Sequence, residues 1–231
     1  MKLILGDGML ATEMIKMTNF SYISRNKDGF DINKIETLTK LIPKQTSTII
    51  NLIANTNTYS DNIKEMFDTN YRAVKKLVKF CNQRKIKLVH YSTDYVYEKS
   101  KPNASENDEI GPTTPYAMSK ALSDEYIQEH CNDYLICRGS HKPTPFQYDI
   151  AWEDVKGNFD YVNIISKIFY HLIENKAHGL FNIGTPVKTM YELASKTNNS
   201  VKPSPSPSHF PKDVTMDLSK LNNFLNYNKL K

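Results

Sequence analysis

Residues 87–97 read KLVHYSTDYVY and residues 115–127 read PYAMSKALSDEYI, and the rest of the chain is arranged around these two phrases. The apolar, β-branched and aromatic run from Lys87 to Tyr97 has the composition of a buried strand, broken by Ser92, Thr93 and Asp94. Hydroxyls at such a point lie where a sheet opens toward a ligand. The second phrase sets Pro115 at a first helical position, with good helix formers after it. On that helix Tyr116 and Lys120 are one turn apart and share a face.

Spacing by itself is weak evidence. Tyr-x-x-x-Lys occurs five times, at Tyr71, Tyr95, Tyr97, Tyr116 and Tyr227. Only Tyr116 follows a hydroxyl-bearing strand end across a loop and also opens a helix. A phenol of ordinary pKa, about 10, becomes a usable acid and base near neutrality when an ammonium beside it favours the phenolate. Thr93 would then hold the substrate oxygen against Tyr116. The competing reading is a buried tyrosine beside a solvated lysine.

Working outward, residues 2–15, KLILGDGMLATEMI, read as a short strand, a tight turn and a helix start, giving Gly6-x-Gly8-x-x-Ala11. In a dinucleotide site the first glycine makes the turn and the second lets backbone approach the pyrophosphate. The third small residue lets helix and strand pack closely. A plain glycine turn is the bland alternative. The next strand, NFSYIS, ends at Ser24 and Arg25, about 20 residues on, where such folds meet the adenosine ribose. An acidic residue there suits the 2′-hydroxyl of NAD, whereas Ser with Arg suits the 2′-phosphate of NADP. NADPH is therefore the favoured cofactor; Asp28 and Asp31 nearby keep NADH as the alternative.

Beyond this point the periodicity alternates. DINKIETLTKLIP is helical from Ile32 to Leu41 and stops at Pro43; STIINLIANTNT is a continuous apolar strand ending in Asn51, Ala54, Asn55 and Asn57. FDTNYRAVKKLVKFCNQRK is an amphipathic helix with Val74, Leu77, Val78 and Cys81 as its core stripe. YLICRGS is a strand, FDYVNIISKIFYHLIENK a helix, GLFNIGT a strand and MYELASKT a short helix. SVKPSPSPSHFP is read as a rigid loop rather than a polyproline ligand, because the amphipathic VTMDLSKLNNFL follows it. Strands alternating with helices specify an α/β fold with a doubly wound parallel sheet.

At 231 residues the chain suffices for one well-buried core, or for one large and one small lobe. A net charge of +5 is dispersed, with no arginine-rich arm or basic stripe, which argues against nucleic acid as partner and suits small anionic ligands. Three cysteines, Cys81, Cys131 and Cys137, have neither metal nor redox spacing, so no metal is expected and a reducing compartment is. The opening MKLILGDGML is neither signal peptide nor membrane span. A cytoplasmic protein with no membrane partner is the expectation.

On these residues the chain resembles an extended short-chain dehydrogenase/reductase, and within that superfamily it is most similar to the dTDP-4-dehydrorhamnose reductase family. The matches are ordered along the chain: ILGDGMLA, IINLIANTNT, Asn70 in DTNYRAV, LVHYSTDYVY, PYAMSK with Glu125 behind it, GLFNIGT, and PKDVTMDLSKL. The resemblance implies a Rossmann-like NADP-binding domain over 1–141 and 159–185, with a small substrate-binding lobe over 142–158 and 186–231. It implies reduction of the C4 ketone of a nucleotide-activated 4-keto-6-deoxy sugar, with hydride from NADPH and the proton from a tyrosine.

Carried over by position, Thr93, Tyr116 and Lys120 match the catalytic hydroxyl, the proton donor and the lysine that also holds the nicotinamide ribose. Gly6, Gly8 and Ala11, with Met9 and Leu10 between them, match the pyrophosphate turn; Ser24 and Arg25 match the 2′-phosphate contact. Asp31 and Ile32 match the adenine-side pair, and Ala54 and Asn55, with Tyr116 and Lys120 again, complete the cofactor set. The family usually carries a longer insertion after Arg138 than the stretch Gly139 to Asn158 here. Trp152, in that stretch, is read either as a stacking platform for a sugar or base or as core.

Two further functions compete. A nucleotide-sugar epimerase would keep tightly bound NAD; a dehydratase is disfavoured because Tyr95 stands where those enzymes carry a glutamate after Thr-Asp. The same family includes non-catalytic NADP-binding regulatory subunits, such as that of methionine adenosyltransferase. A homodimer or a complex with another sugar-nucleotide enzyme is the assembly expected on the resemblance.

Overall fold

The computed structural model describes residues 1–58 and 61–229; Leu230 and Lys231, the end of the expected second lobe, lie outside it. The N-terminal half alternates as its periodicity requires: β1 (Lys2–Leu5), α1 (Met9–Met17), β2 (Ser21–Ile23), α2 (Arg25–Asp28), α3 (Ile35–Leu41) and β3 (Thr48–Asn51). Then come α4 (Ile63–Phe67), a π-helical turn over Asp68–Arg72, α5 (Ala73–Arg84), β4 (Lys87–Tyr91), α6 (Pro115–His130) and β5 (Tyr134–Arg138). The expected core stripe of α5, Val74, Leu77, Val78 and Cys81, is buried. Pro115 does open α6, and Thr114 caps it by accepting the N–H of Ala117 at 3.2 Å.

The second half runs β6 (His141–Lys142), β7 (Ile150–Trp152), β8 (Lys156–Gly157), β9 (Asp160–Tyr161), α7 (Val162–Glu174), β10 (Gly179–Asn182) and β11 (Lys188–Thr189). It ends with α8 (Met190–Ala194), β12 (Lys202–Ser204), β13 (Asp213–Val214) and α9 (Ser219–Lys229). The Pro/Ser-rich stretch is thus partly strand: β12 pairs with β7 in parallel, Lys202 opposite Ile150 and Ser204 opposite Trp152.

Among the described residues one six-stranded sheet has the order β10-β5-β4-β3-β1-β2, and β1 to β5 pair in parallel. Registers such as Leu5 opposite Asn51 and Asn51 opposite His90 align the C-terminal strand ends, so polar residues that follow apolar runs emerge together.

The expected strand over Lys87–Tyr97 ends early, at Tyr91. Ser92 still gives its N–H to Cys137 O at 2.7 Å, but Thr93 Oγ1 then accepts the N–H of Tyr95, and Asp94–Tyr97 winds into a 3₁₀ turn. The aromatic and β-branched composition favoured a strand; a local side-chain cap decided otherwise.

The chain divides into two compact units: Met1–Ser92, Thr113–Cys137 and Ala177–Leu180 form one, and Thr93–Pro112, Arg138–Lys176 and Phe181–Lys231 the other. The division differs from the expected lobes in giving Thr93–Pro112, 138–141, 159–176 and 181–185 to the second unit. Within that unit Arg138 donates to Tyr97 Oη at 2.8 Å, Tyr97 donates to Asn182 Oδ1 at 2.9 Å, and Ala104 N–H reaches Thr215 O at 3.1 Å. The first unit is built on Leu3, Leu5, Ile49, Leu77 and Leu88; the second contains a separate core with Phe146, Phe159, Tyr161 and Leu193. Trp152 packs on that second core with its ring tilted 57° to Phe210, centroids 4.1 Å apart.

Candidate active site

In the first unit, a cavity of about 400 Å³ opens over the C-terminal ends of β1, β2 and β3. Gly6, Arg25, Ile32, Ala54 and Asn55 line it, so residues from four separate stretches of sequence meet at one space of a size ordinary for small ligands. Asp7, Asn26, Phe30, Ile53, Glu65 and Thr69 complete the wall. Of these, Phe30 and Ile53 carry no sequence signal beyond being apolar after a strand.

Gly6 is required where it stands. Its φ is +106°, a region open to glycine, and a Cβ there would sit 3.0 Å from Ile53 Cγ1. Its N–H reaches Ile23 O at 2.9 Å, tying the turn to β2. Gly8 is the residue before α1, with Met9 exposed and Leu10 and Ala11 buried beneath. The unsatisfied N–H groups of the α1 start carry no acidic residue in their first turn, which suits an anionic ligand.

Ser24 and Arg25 part company. Ser24 is fully buried; its Oγ accepts the N–H of Lys27 at 3.1 Å and its own N–H goes to Asp28 Oδ2 at 3.1 Å, so it caps α2 rather than facing the cavity. Arg25 is 72% exposed and its guanidinium stands 3.7 Å from Asp31 Oδ1. Asp31 lies beside Arg25, also accepting the N–H of Asn33, and does not itself line the cavity.

Asn70 fastens the cavity wall to α6. Its Oδ1 accepts the N–H of Asn55 at 2.7 Å, and its Nδ2 donates to Asn55 O at 2.9 Å and Ser119 Oγ at 3.0 Å. Ser119 in turn donates to Tyr116 O at 2.7 Å, and Ser123 donates to Asn70 O. The π turn holding Asn70 inserts one residue into the helical ladder, and such turns concentrate at functional sites. Asn70 was matched by resemblance, but sequence reasoning assigned it no role.

Tyr116 is half-buried on the first turn of α6. Lys120, one turn on, is 1% exposed; its Nζ contacts His90 Nε2 at 3.0 Å and donates to Tyr91 O at 2.8 Å. Burial pulls the lysine's pKa down to about 8, against the pull of Asp124, which raises it. Burial, then the Lys120 charge, holds His90 well below the usual histidine range, so the ring is neutral. Nothing in the sequence marked His90 apart from its place in a buried strand.

Thr93 belongs to the second unit. Its hydroxyl donates to Asp94 Oδ1 at 3.3 Å. Burial pushes the Asp94 carboxyl up to about 6, only partly opposed by Lys142.

A family model described as "RmlD substrate binding domain" matches residues 1–141. Among solved structures, the chain is similar to dTDP-4-dehydrorhamnose reductase from Bacillus anthracis in complex with NADP, at 18% identity and a TM-score of 0.84, over 96% of this chain and 92% of that one. A dTDP-4-dehydrorhamnose reductase from Clostridium acetobutylicum aligns at 19% identity and a TM-score of 0.81, over 100% and 99% of the two chains. The enzyme WbmG of Bordetella bronchiseptica, in complex with NAD and UDP, aligns at 14% identity and a TM-score of 0.77, over 96% and 87%. Among the described residues no helix is long and apolar enough to cross a membrane.

Proposed function

The chain belongs to the RmlD substrate-binding-domain family, and from that premise we propose that it is an NADPH-dependent oxidoreductase that reduces the C4 ketone of a nucleotide-activated 4-keto-6-deoxy sugar. The observation carrying this reading is the convergence of Gly6, Arg25, Ile32, Ala54 and Asn55 on one cavity, linked through Asn70 to the helix of Tyr116 and Lys120.

A dinucleotide fits these residues on three counts. The positive φ of Gly6 makes the tight turn before α1, the α1 start offers N–H groups to a diphosphate, and Arg25 offers a cation at the edge. When bound, the nicotinamide supplies hydride to the ketone carbon. Tyr116 gives its phenolic proton to the ketone oxygen, and Lys120 in its ammonium form lowers the cost of the phenolate left behind. Thr93 keeps the assignment the resemblance implies, a hydroxyl for the substrate oxygen. As it stands the hydroxyl donates to Asp94, so serving a substrate requires that bond to be exchanged.

The test is incubation of the full chain with NADPH and a dTDP-linked 4-keto-6-deoxy sugar, followed by the near-ultraviolet nicotinamide absorbance. Loss of absorbance that depends on the sugar is the expected result. No loss across a panel of ketosugar nucleotides overturns the proposal.

A further inference from the structure

Lys120 ends in a buried chain of side chains whose donors and acceptors can be counted. Ile53 N–H donates to Asn51 Oδ1 at 3.3 Å, which fixes the orientation of that amide: the oxygen is committed, and Nδ2 is the atom left facing His90. Nδ2 lies 3.1 Å from His90 Nδ1 and can only donate. Nδ1 must therefore carry a lone pair, and the proton of the neutral ring sits on Nε2. That nitrogen is 3.0 Å from Lys120 Nζ. An N–H there cannot accept from an ammonium, which has three donors and no acceptor. It can donate to the lone pair of an amine, which keeps two N–H groups, one of them for Tyr91 O at 2.8 Å.

We propose that Asn51 and His90 are positioning residues for Lys120: Asn51 holds the imidazole as the Nε2–H tautomer, which donates to a Lys120 amine and resists the ammonium. The assignment deepens the reductase reading and rests on it for its catalytic meaning, although the tautomer itself does not. Asp124, one turn beyond Lys120 on α6 and fully buried, favours the ammonium and accepts from Ser92 Oγ at 2.9 Å. Cys137 on β5 faces Asp124 and stays a thiol, since burial pushes it up. The lysine thus lies between a carboxylate that favours its charge and an N–H that opposes it, and its protonation requires the ring and the amide to turn over together. On the reductase reading, the charge that assists Tyr116 is coupled to the orientation of the His90 ring and the Asn51 amide.

The test needs no substrate. Nitrogen-15 correlation spectra of the labelled full chain, taken about a unit above the pH of about 8 at which Lys120 titrates, report which ring nitrogen of His90 is protonated. The expected result is an Nε2–H ring with an unprotonated Nδ1; the Nδ1–H tautomer overturns the proposal. Asn51→Asp puts an acceptor opposite Nδ1, and should invert the tautomer and move the Lys120 side-chain titration up by about a pH unit or more. An inverted ring with an unmoved lysine titration also overturns it. Should Asn51→Asp not fold, the wild-type spectrum decides alone. Failure of the reductase reading would appear as absent ketosugar turnover with these spectra unchanged.

Discussion

A single side chain satisfies both backbone groups of another residue: Asn70 Oδ1 takes the N–H of Asn55 at 2.7 Å, and Asn70 Nδ2 returns to the carbonyl of Asn55 at 2.9 Å. Asn55 lines the cavity, and Asn70 also reaches Ser119 on the helix of Tyr116. Asn70→Ala leaves the half-buried backbone groups of Asn55 without these partners. Stability should fall by about 2–4 kcal/mol, read from the denaturant midpoint, and dinucleotide affinity should fall with it.

Tyr116→Phe removes one oxygen from the half-buried start of α6 and leaves the cavity wall alone. The rate of ketosugar reduction should drop by ~10²–10⁴, the usual loss on removing a general acid, while NADPH affinity from a binding titration stays as it was. An unchanged rate would remove the tyrosine from the chemistry.

Arg25 stands 3.7 Å from Asp31, so its guanidinium offsets a carboxylate at the edge of the cavity. Arg25→Ala takes away the cation and exposes the carboxylate to an incoming phosphate. NADPH should bind about tenfold or more weakly while NADH changes little, a loss in keeping with charge-assisted hydrogen bonds of about 1.5–3 kcal/mol. Equal weakening of both cofactors, measured by titration, would put the 2′-phosphate elsewhere.

Asp94 carries a pH signature. Its folded pKa, about 6, lies above the ordinary carboxylate value, so the folded state favours the protonated acid. The stability this contributes is present in full below about 4 and is lost as pH rises through about 6. Asp94→Asn should therefore gain on wild type by up to about 3 kcal/mol between pH 4 and pH 7. Thermal unfolding of both proteins across that range checks the sign; a gap that does not widen with pH refutes it.

Some of this was legible in the residues before any coordinates. Val74, Leu77, Val78 and Cys81 repeat at helical spacing and are buried on one face, because a helix must hide its apolar stripe whatever it packs against. Gly6 and Pro115 were legible for an equally local reason, being residues with unusual backbone freedom or restriction. The composition of Asp94–Tyr97 favours extension while the Thr93 hydroxyl holds a turn there, and propensity does not see that contact.

The sequence by itself determined the alternation of strands and helices, the glycine turn and the helix opening at Pro115, since each follows from interactions within a few residues. Only the tertiary structure decided that Asn70 holds Asn55 and reaches Ser119, and that Lys120 meets His90. These outcomes depend on hydrogen bonds between positions as far apart as 15, 30 and 49 residues, as in Asn55 with Asn70, His90 with Lys120 and Asn70 with Ser119. Such pairings are fixed by strand register and helix packing, which no local pattern encodes.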